Sequence, residues 1–375
     1  IEFDEDQRML YNFMFGNKRL IIRGLAGTGK TILAAKKATE ESNNEKKVLV
    51  LTKTVGVGRF LSLLTRSKQF KRNFLEISSV DGFVSNLARK LKVKINNPQQ
   101  LNDEEKRHHF DEYLPKTCID IFKKNPDKKF DVLIIDEGQD FHQNWYEALK
   151  HIVKDDGHMF VFYDPLQRQI SNSMADTLNK NVDNYPYFNL TANYRNSSTI
   201  TVFLSKLINK FYQNTNVSYS KFSKFDGKKP EFIAAEDFDD LVKKSTNKIL
   251  KLIKEENFVG RDIAVLSDKS MRPSNNNSQM SLRNLLEENG LEVISAREYA
   301  LPYIRENLEN NVTFDSIKRF KGLEKPIILL VNLEENLNDE TKMRDIYSGL
   351  SRARGHLIII SNQNSINFLK ELYAA

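Results

Sequence analysis

Gly24-Leu25-Ala26-Gly27-Thr28-Gly29-Lys30-Thr31 has the residue types and spacing of a loop that holds phosphates. Glycines let backbone N–H groups turn inward around a polyphosphate, Lys30 can reach its β- and γ-phosphates, and the Thr31 hydroxyl can sit on Mg²⁺. A second group, Asp136-Glu137-Gly138-Gln139-Asp140, offers adjacent carboxylates. Asp136 can complete a Mg²⁺ shell while Glu137 orients or deprotonates an attacking water. The expected chemistry is the binding and hydrolysis of a nucleoside triphosphate.

That chemistry needs elements to position it, and the flanking residues supply them. Residues 19–23 read as a buried strand entering the loop, residues 31–38 as a helix leaving it, and residues 132–135 as the strand that delivers Asp136 and Glu137 to its C-terminal end. Similar apolar runs at 48–51, 159–162, 263–266, 327–331 and 357–360 alternate with helical stretches, which predicts an α/β fold with parallel sheets. Phe238, Leu241, Val242, Ile249, Leu252 and Ile253 share a helical face behind the acidic start Glu236-Asp237. Residues 281–289 end at Gly290, a natural C-cap. A new series of strands begins after Asn184-Tyr185-Pro186-Tyr187, so two domains are expected, 1–186 and 187–375. Residues 84–128, rich in charge and helix formers, read as a small helical insertion in the first, and residues 123–129 and 274–278 as exposed loops.

Bulk properties exclude several classes. With 375 residues the chain can build more than one core, and its apolar runs fall far short of the roughly 18 residues that a spanning helix needs. Glu2, Asp4, Glu5 and Asp6 replace the basic region of a signal peptide, so a cytoplasmic protein without a membrane partner is expected. The first residue, Ile1, reads as a piece of something larger. Cys118 is the single cysteine, which excludes an internal disulfide and fits a reducing cytosol. Lys and Arg exceed Asp and Glu by 57 to 50, a formal +7 that favours a polyanionic partner only weakly. The 6 histidines show no metal-ligand spacing, leaving ATP with Mg²⁺ as the inferred cofactors. Trp145 is expected to pack a core helix.

Taken in order, the motifs resemble those of the UvrD/Rep-like superfamily 1 helicases from one end of the chain to the other. Gln7 stands where that family keeps an adenine-reading glutamine. Residues 48–60 and Ile77-Ser78-Ser79-Val80-Asp81-Gly82-Phe83 resemble its contacts to single-stranded nucleic acid. Phe162-Tyr163-Asp164-Pro165-Leu166-Gln167 resembles the third motif, whose glutamine senses the γ-phosphate. Asn193-Tyr194-Arg195-Asn196 is similar to the fourth, with Tyr194 near adenine and Arg195 reaching the γ-phosphate. Phe320-Lys321-Gly322-Leu323-Glu324 is similar to the fifth, with Glu324 near the ribose, and residues 347–354 to the sixth, in which Arg352 is the arginine finger. The resemblance implies two RecA-like domains with the nucleotide in the cleft between them. It implies catalytic roles for Lys30, Glu137, Gln167, Arg195 and Arg352, and nucleotide contacts from Gln7, Gly24, Ala26, Gly27, Thr28, Gly29, Lys30, Thr31, Asp136, Tyr194, Gly322 and Glu324. Thr31 and Asp136 are the implied metal ligands. Asp140-Phe141-His142-Gln143-Asn144-Trp145 is also similar to compact bacterial relatives associated with nuclease-related domains.

Several residues depart from the pattern. Lys53 stands where an aromatic residue is frequent, Asp81 where histidine is frequent, and Lys318 where histidine is usual; Tyr163 and Gly138 replace glycine and alanine. Residues 168–172 lack the expected aromatic residue. Translocating relatives stack bases on aromatic side chains, so this chain is expected to grip strands through phosphates, with Lys53 among the basic contacts. Phe222, Lys224, Phe225, Lys228 and Lys229 interleave aromatic and basic residues, in a stretch that reads as a solvated linker or a nucleic-acid contact. The expected function is an ATP-dependent motor on single-stranded nucleic acid, DNA in preference to RNA, with a partner protein or a fused nuclease or effector. The alternatives are a regulatory ATPase that switches such a partner without processive unwinding, and a scaffold without turnover, against which the intact Lys30, Asp136, Glu137, Gln167 and Arg352 speak.

Overall fold

A computed structural model of the chain describes residues 5–53, 74–167, 173–174, 177–178, 185–212, 218–268, 281–299, 309–334 and 337–375. Residues 54–60, 168–172 and 274–278, singled out above, lie outside the described residues. The chain divides into two compact units, Ile1–Thr191 and Ala192–Ala375. Each is built on a 6-stranded sheet whose paired strands all run parallel, flanked by helices.

In the first unit the strands are β1 (Arg19–Gly24), β2 (Val48–Thr52), β3 (Leu75–Ser79), β4 (Phe130–Ile135), β5 (Val153–Tyr163) and β6 (Tyr187–Leu190), in the spatial order β3-β2-β4-β5-β1-β6. Helices cover both faces, so the central strands are apolar on both sides and read as unbroken runs. Leu49, Leu51, Leu133, Ile135 and Val161 point to one core, while Val48, Val50, Val132, Ile134, Phe160 and Phe162 point to the other. Strand β6 follows the proline-containing stretch and adds to this sheet beside β1, so the first unit continues past Leu190 instead of ending before Tyr187. Between β3 and β4 the chain is mainly helical, with helices Val80–Lys90, Asp103–His108 and Leu114–Lys124 and a π turn at His109–Tyr113. Trp145, fully buried on helix Asn144–Ile152, donates from its indole nitrogen to the Phe110 carbonyl at 3.2 Å and ties this insertion to the core.

The second unit has β7 (Glu231–Ala234), β8 (Ile263–Ser267), β9 (Glu292–Ile294), β10 (Asn311–Ser316), β11 (Lys325–Val331) and β12 (Ala353–Ser361), in the order β7-β12-β11-β8-β10-β9. Leu241, Val242, Ile249 and Leu252 of helix Phe238–Lys254 bury against Ile263, Ile327, Leu329 and Ile358. Helix Leu282–Glu288 stops before Gly290, whose φ of 80° is the left-handed turn that a C-cap glycine permits. No helix among the described residues is long and apolar enough to cross a membrane.

Candidate active site

Strands β4, β5 and β1 are neighbours in parallel register, so the loops that leave their C-terminal ends emerge at one edge of the first sheet. These loops carry the glycine motif, the acidic motif and Asp164 to Gln167. The glycine loop turns at Gly27 and Gly29, whose φ values of 79° and 84° would strain any other L-residue. Thr28 closes it with a bond from its hydroxyl to Leu25 O at 2.9 Å. Lys30 opens helix Lys30–Asn43 and bends back, giving its ammonium to Gly24 O at 2.7 Å and Leu25 O at 3.0 Å, with Asp164 Oδ2 at 4.0 Å. Gln7 is buried on helix Glu5–Gly16, and its amide lies so near Gly29 that a Cβ there would be 2.8 Å from Nε2. Ala26 is buried within the loop.

The Thr31 hydroxyl donates to Asp136 Oδ2 at 2.8 Å, bringing together the hydroxyl and carboxylate that the sequence names as metal ligands. Asp136 is fully buried, and its carboxyl is held well above the usual carboxylate range, first by burial and then by the charge of Glu137; Thr31 and Lys30 pull the other way. Glu137 has a φ of 57°, a left-handed conformation that costs a non-glycine residue roughly 1–3 kcal/mol and that marks functional turns. Its carboxylate accepts from the amide of Gln139. Gln139 also accepts from Asp164 N at 3.0 Å, and the Ser173 hydroxyl donates to its backbone carbonyl at 2.7 Å. Gln139 therefore joins the acidic motif to the loop after β5, where Gln167 is buried. Sequence reasoning quoted this residue within the acidic motif but gave it no role of its own. Gly138 has its own cause: a Cβ would lie 2.9 Å from Val161 Cγ1 and 3.2 Å from Met174 Cε.

Two departures from the motif pattern prove complementary. Lys53 Nζ lies 3.2 Å from Asp81 Oδ2 and 5.6 Å from the centre of the Phe110 ring. Lys53 is thus engaged within the protein instead of standing open to phosphates. Lys318 likewise has a carboxylate partner, Asp345, at 3.5 Å.

In the second unit the fourth, fifth and sixth motifs meet at the start of β11 and β12. Asn193 folds its own turn, accepting from Arg195 N at 3.1 Å and Asn196 N at 3.2 Å. Asn196, fully buried and likewise given no role from sequence, donates to Ser351 O at 3.0 Å and Ala353 O at 2.5 Å, which fastens the fourth motif to the sixth. Arg195 Nε lies 2.5 Å from Glu324 Oε2, and Arg354 approaches the other oxygen at 3.9 Å. Glu324 follows a turn at Gly322, where φ is 85°. Arg352 is buried and folds back on helix Glu340–Leu350, donating to Ser348 O at 3.1 Å. Tyr194 is 44 % exposed. Replacing Asn196 by Ala should destabilise the chain by about 1–3 kcal/mol, because two buried carbonyls lose their donor. The midpoint of urea unfolding measures this, and an unchanged midpoint would show that the bridge contributes nothing.

Two parallel sheets under helices, each with its motif loops gathered at one edge, define an α/β protein with two RecA-like domains. Over residues 17–290, more than half of its length, the chain matches the family described as Schlafen group 3, DNA/RNA helicase domain, and it belongs to that family. The matched span includes Lys30, Asp136, Glu137, Gln167 and Arg195 and stops before Gly322, Glu324 and Arg352. Among curated proteins none matches the chain closely.

Proposed function

We propose that the chain hydrolyses ATP as a helicase-type motor on single-stranded nucleic acid, with the motif layout of the UvrD/Rep-like superfamily 1 proteins that its sequence resembles. The observation that carries this reading is the 2.8 Å contact between the Thr31 hydroxyl and Asp136 beside the glycine loop, with Glu137 next in sequence. A hydroxyl and a carboxylate oxygen suit Mg²⁺, which takes a few oxygens from protein and the remainder from phosphate and water. Thr31 and Asp136 would hold the ion, which when bound offsets negative charge on the phosphate oxygens.

The remaining roles belong to side chains. Lys30 exchanges two neutral carbonyls for phosphate oxygens, a stronger charge-assisted bond. Gln139 orients the Glu137 carboxylate toward the attacking water. Arg195 and Arg352 place positive charge where the transferred phosphoryl group gathers negative charge, and Glu324 is the partner that Arg195 exchanges. Tyr194 and Gln7 serve the base. DNA, and a partner or fused nuclease or effector, remain part of the reading through the resemblance.

One observation favours a second reading, the regulatory switch. The ion pair between Lys53 and Asp81 occupies residues that the resemblance assigns to the strand-binding track. ATP turnover with and without single-stranded DNA or RNA separates the two. Strong stimulation supports the motor, turnover indifferent to strands supports the switch, and no turnover under either condition overturns the hydrolase. Lys30→Ala should weaken binding of a fluorescent ATP analogue by about tenfold or more, since a charged partner is lost.

A further inference from the structure

Residues 218–230 form no helix or strand of their own, yet they are fastened along their length. The Lys221 carbonyl accepts from Asn193 N at 3.0 Å, the Phe225 carbonyl from Ser198 N at 2.9 Å, and Lys228 N donates to Gly355 O at 3.0 Å. Gly227 fits so tightly that a Cβ would lie 2.3 Å from Gly355 O. On this pinned backbone Phe222 is 46 % and Phe225 57 % exposed. The Phe225 ring rests along Gly355, where a Cβ would come within 3.2 Å of it, so the glycine makes room for the ring. Two large apolar rings are therefore left about half exposed on a backbone that is fastened in place.

Their surroundings identify the ligand chemistry. Lys221, Lys224 and Lys229, close to the rings in sequence, are exposed, and Lys224 and Lys229 have no ion-pair partner among the described residues. The nearby carboxylates are engaged, Asp226 with the Ser198 hydroxyl and Glu256 with Lys228. Among the described residues of the second unit, the large apolar side chains left largely exposed are Tyr194, Phe222 and Phe225, and no aliphatic one accompanies them. Protein interfaces are depleted in lysine, whereas single strands are held by aromatic faces set among positive charges.

We propose that Phe222 and Phe225, flanked by Lys224 and Lys229, form a stacking platform for single-stranded nucleic acid on the second unit. The proposal rests on the nucleic-acid reading above and assigns the base contacts to side chains other than Lys53. Stacking on a π-face accepts any base, so the platform is indifferent to sequence, and the lysines meet the phosphates.

Anisotropy of labelled dT20 and U20 titrated with the full chain at several salt concentrations tests it. Phe222→Ala and Phe225→Ala should each weaken binding by about tenfold with the salt dependence unchanged. Phe225→Tyr should keep wild-type affinity, which separates the ring from the fold. The double change of Lys224 and Lys229 to Ala should flatten the slope of log affinity against log salt by about 1.4, near 0.7 for each phosphate that is no longer neutralised. Affinity for a fluorescent ATP analogue should hold in every variant. Wild-type strand affinity in both alanine variants overturns the platform while leaving the nucleic-acid reading intact. Loss of nucleotide affinity in Phe225→Ala overturns it too, because the ring would then serve the nucleotide. An unsubstituted chain that binds neither oligonucleotide overturns the nucleic-acid reading itself, and the platform with it.

Discussion

Glu137→Gln should lower ATP turnover by about 10²- to 10⁴-fold while leaving ATP affinity within a few-fold of the unsubstituted chain. The amide has the shape of the carboxylate and can still accept from Gln139, so the left-handed turn and its bridge to Asp164 survive. What disappears is the basic oxygen that, in the proposed reaction, handles water. Phosphate release and equilibrium binding of a fluorescent ATP analogue read the two quantities separately. Equal loss of binding in Glu137→Gln and Lys30→Ala would show that Glu137 belongs to the phosphate cradle and not to the water.

Arg352→Ala should reduce turnover by about 10³-fold or more with a modest change in ADP affinity, because in the proposed reaction its charge is needed only as the γ-phosphoryl group leaves. Arg352→Lys should fall nearly as far. A lysine keeps the charge but lacks the guanidinium Nε that donates to Ser348 O and fixes the side chain. Thermal unfolding of each variant checks that the buried site still folds. Turnover within tenfold of wild type in the folded alanine variant would mean that the developing charge is met by another group.

Most interior strands were legible from unbroken apolar runs, while the margins and the interior strand β10, Asn311-Val312-Thr313-Phe314-Asp315-Ser316, were not. Strands β1, β2, β4, β8, β11 and β12 are buried on both faces by helices and so announce themselves. The four edge strands β3, β6, β7 and β9 are half-exposed or short and mix polar with apolar residues, which leaves no run to detect. Missing β6 is what set the expected domain boundary before Tyr187. The loops that bear Lys30, Thr31, Asp136 and Glu137 were legible as loops at strand ends because glycine spacing and adjacent carboxylates mark them by residue type. The roles of Gln139 and Asn196 were not legible, since each acts through hydrogen bonds that reach backbone far away in sequence, and no local spacing encodes such a partner.

The pairing of Lys53 with Asp81 makes these two positions genetically dependent on one another. Each is about three-quarters buried at its side chain, so a change at one alone strands a charge in a poorly hydrated site, a costlier state than either matched pair. Restoring an aromatic residue at 53 without a matching change at 81, or histidine at 81 without one at 53, passes through that state. The Phe110 ring beneath the ammonium extends the dependence to the helical insertion. Lineages of such chains would therefore favour exchanging residues 53 and 81 together, with residue 110 packed beside them.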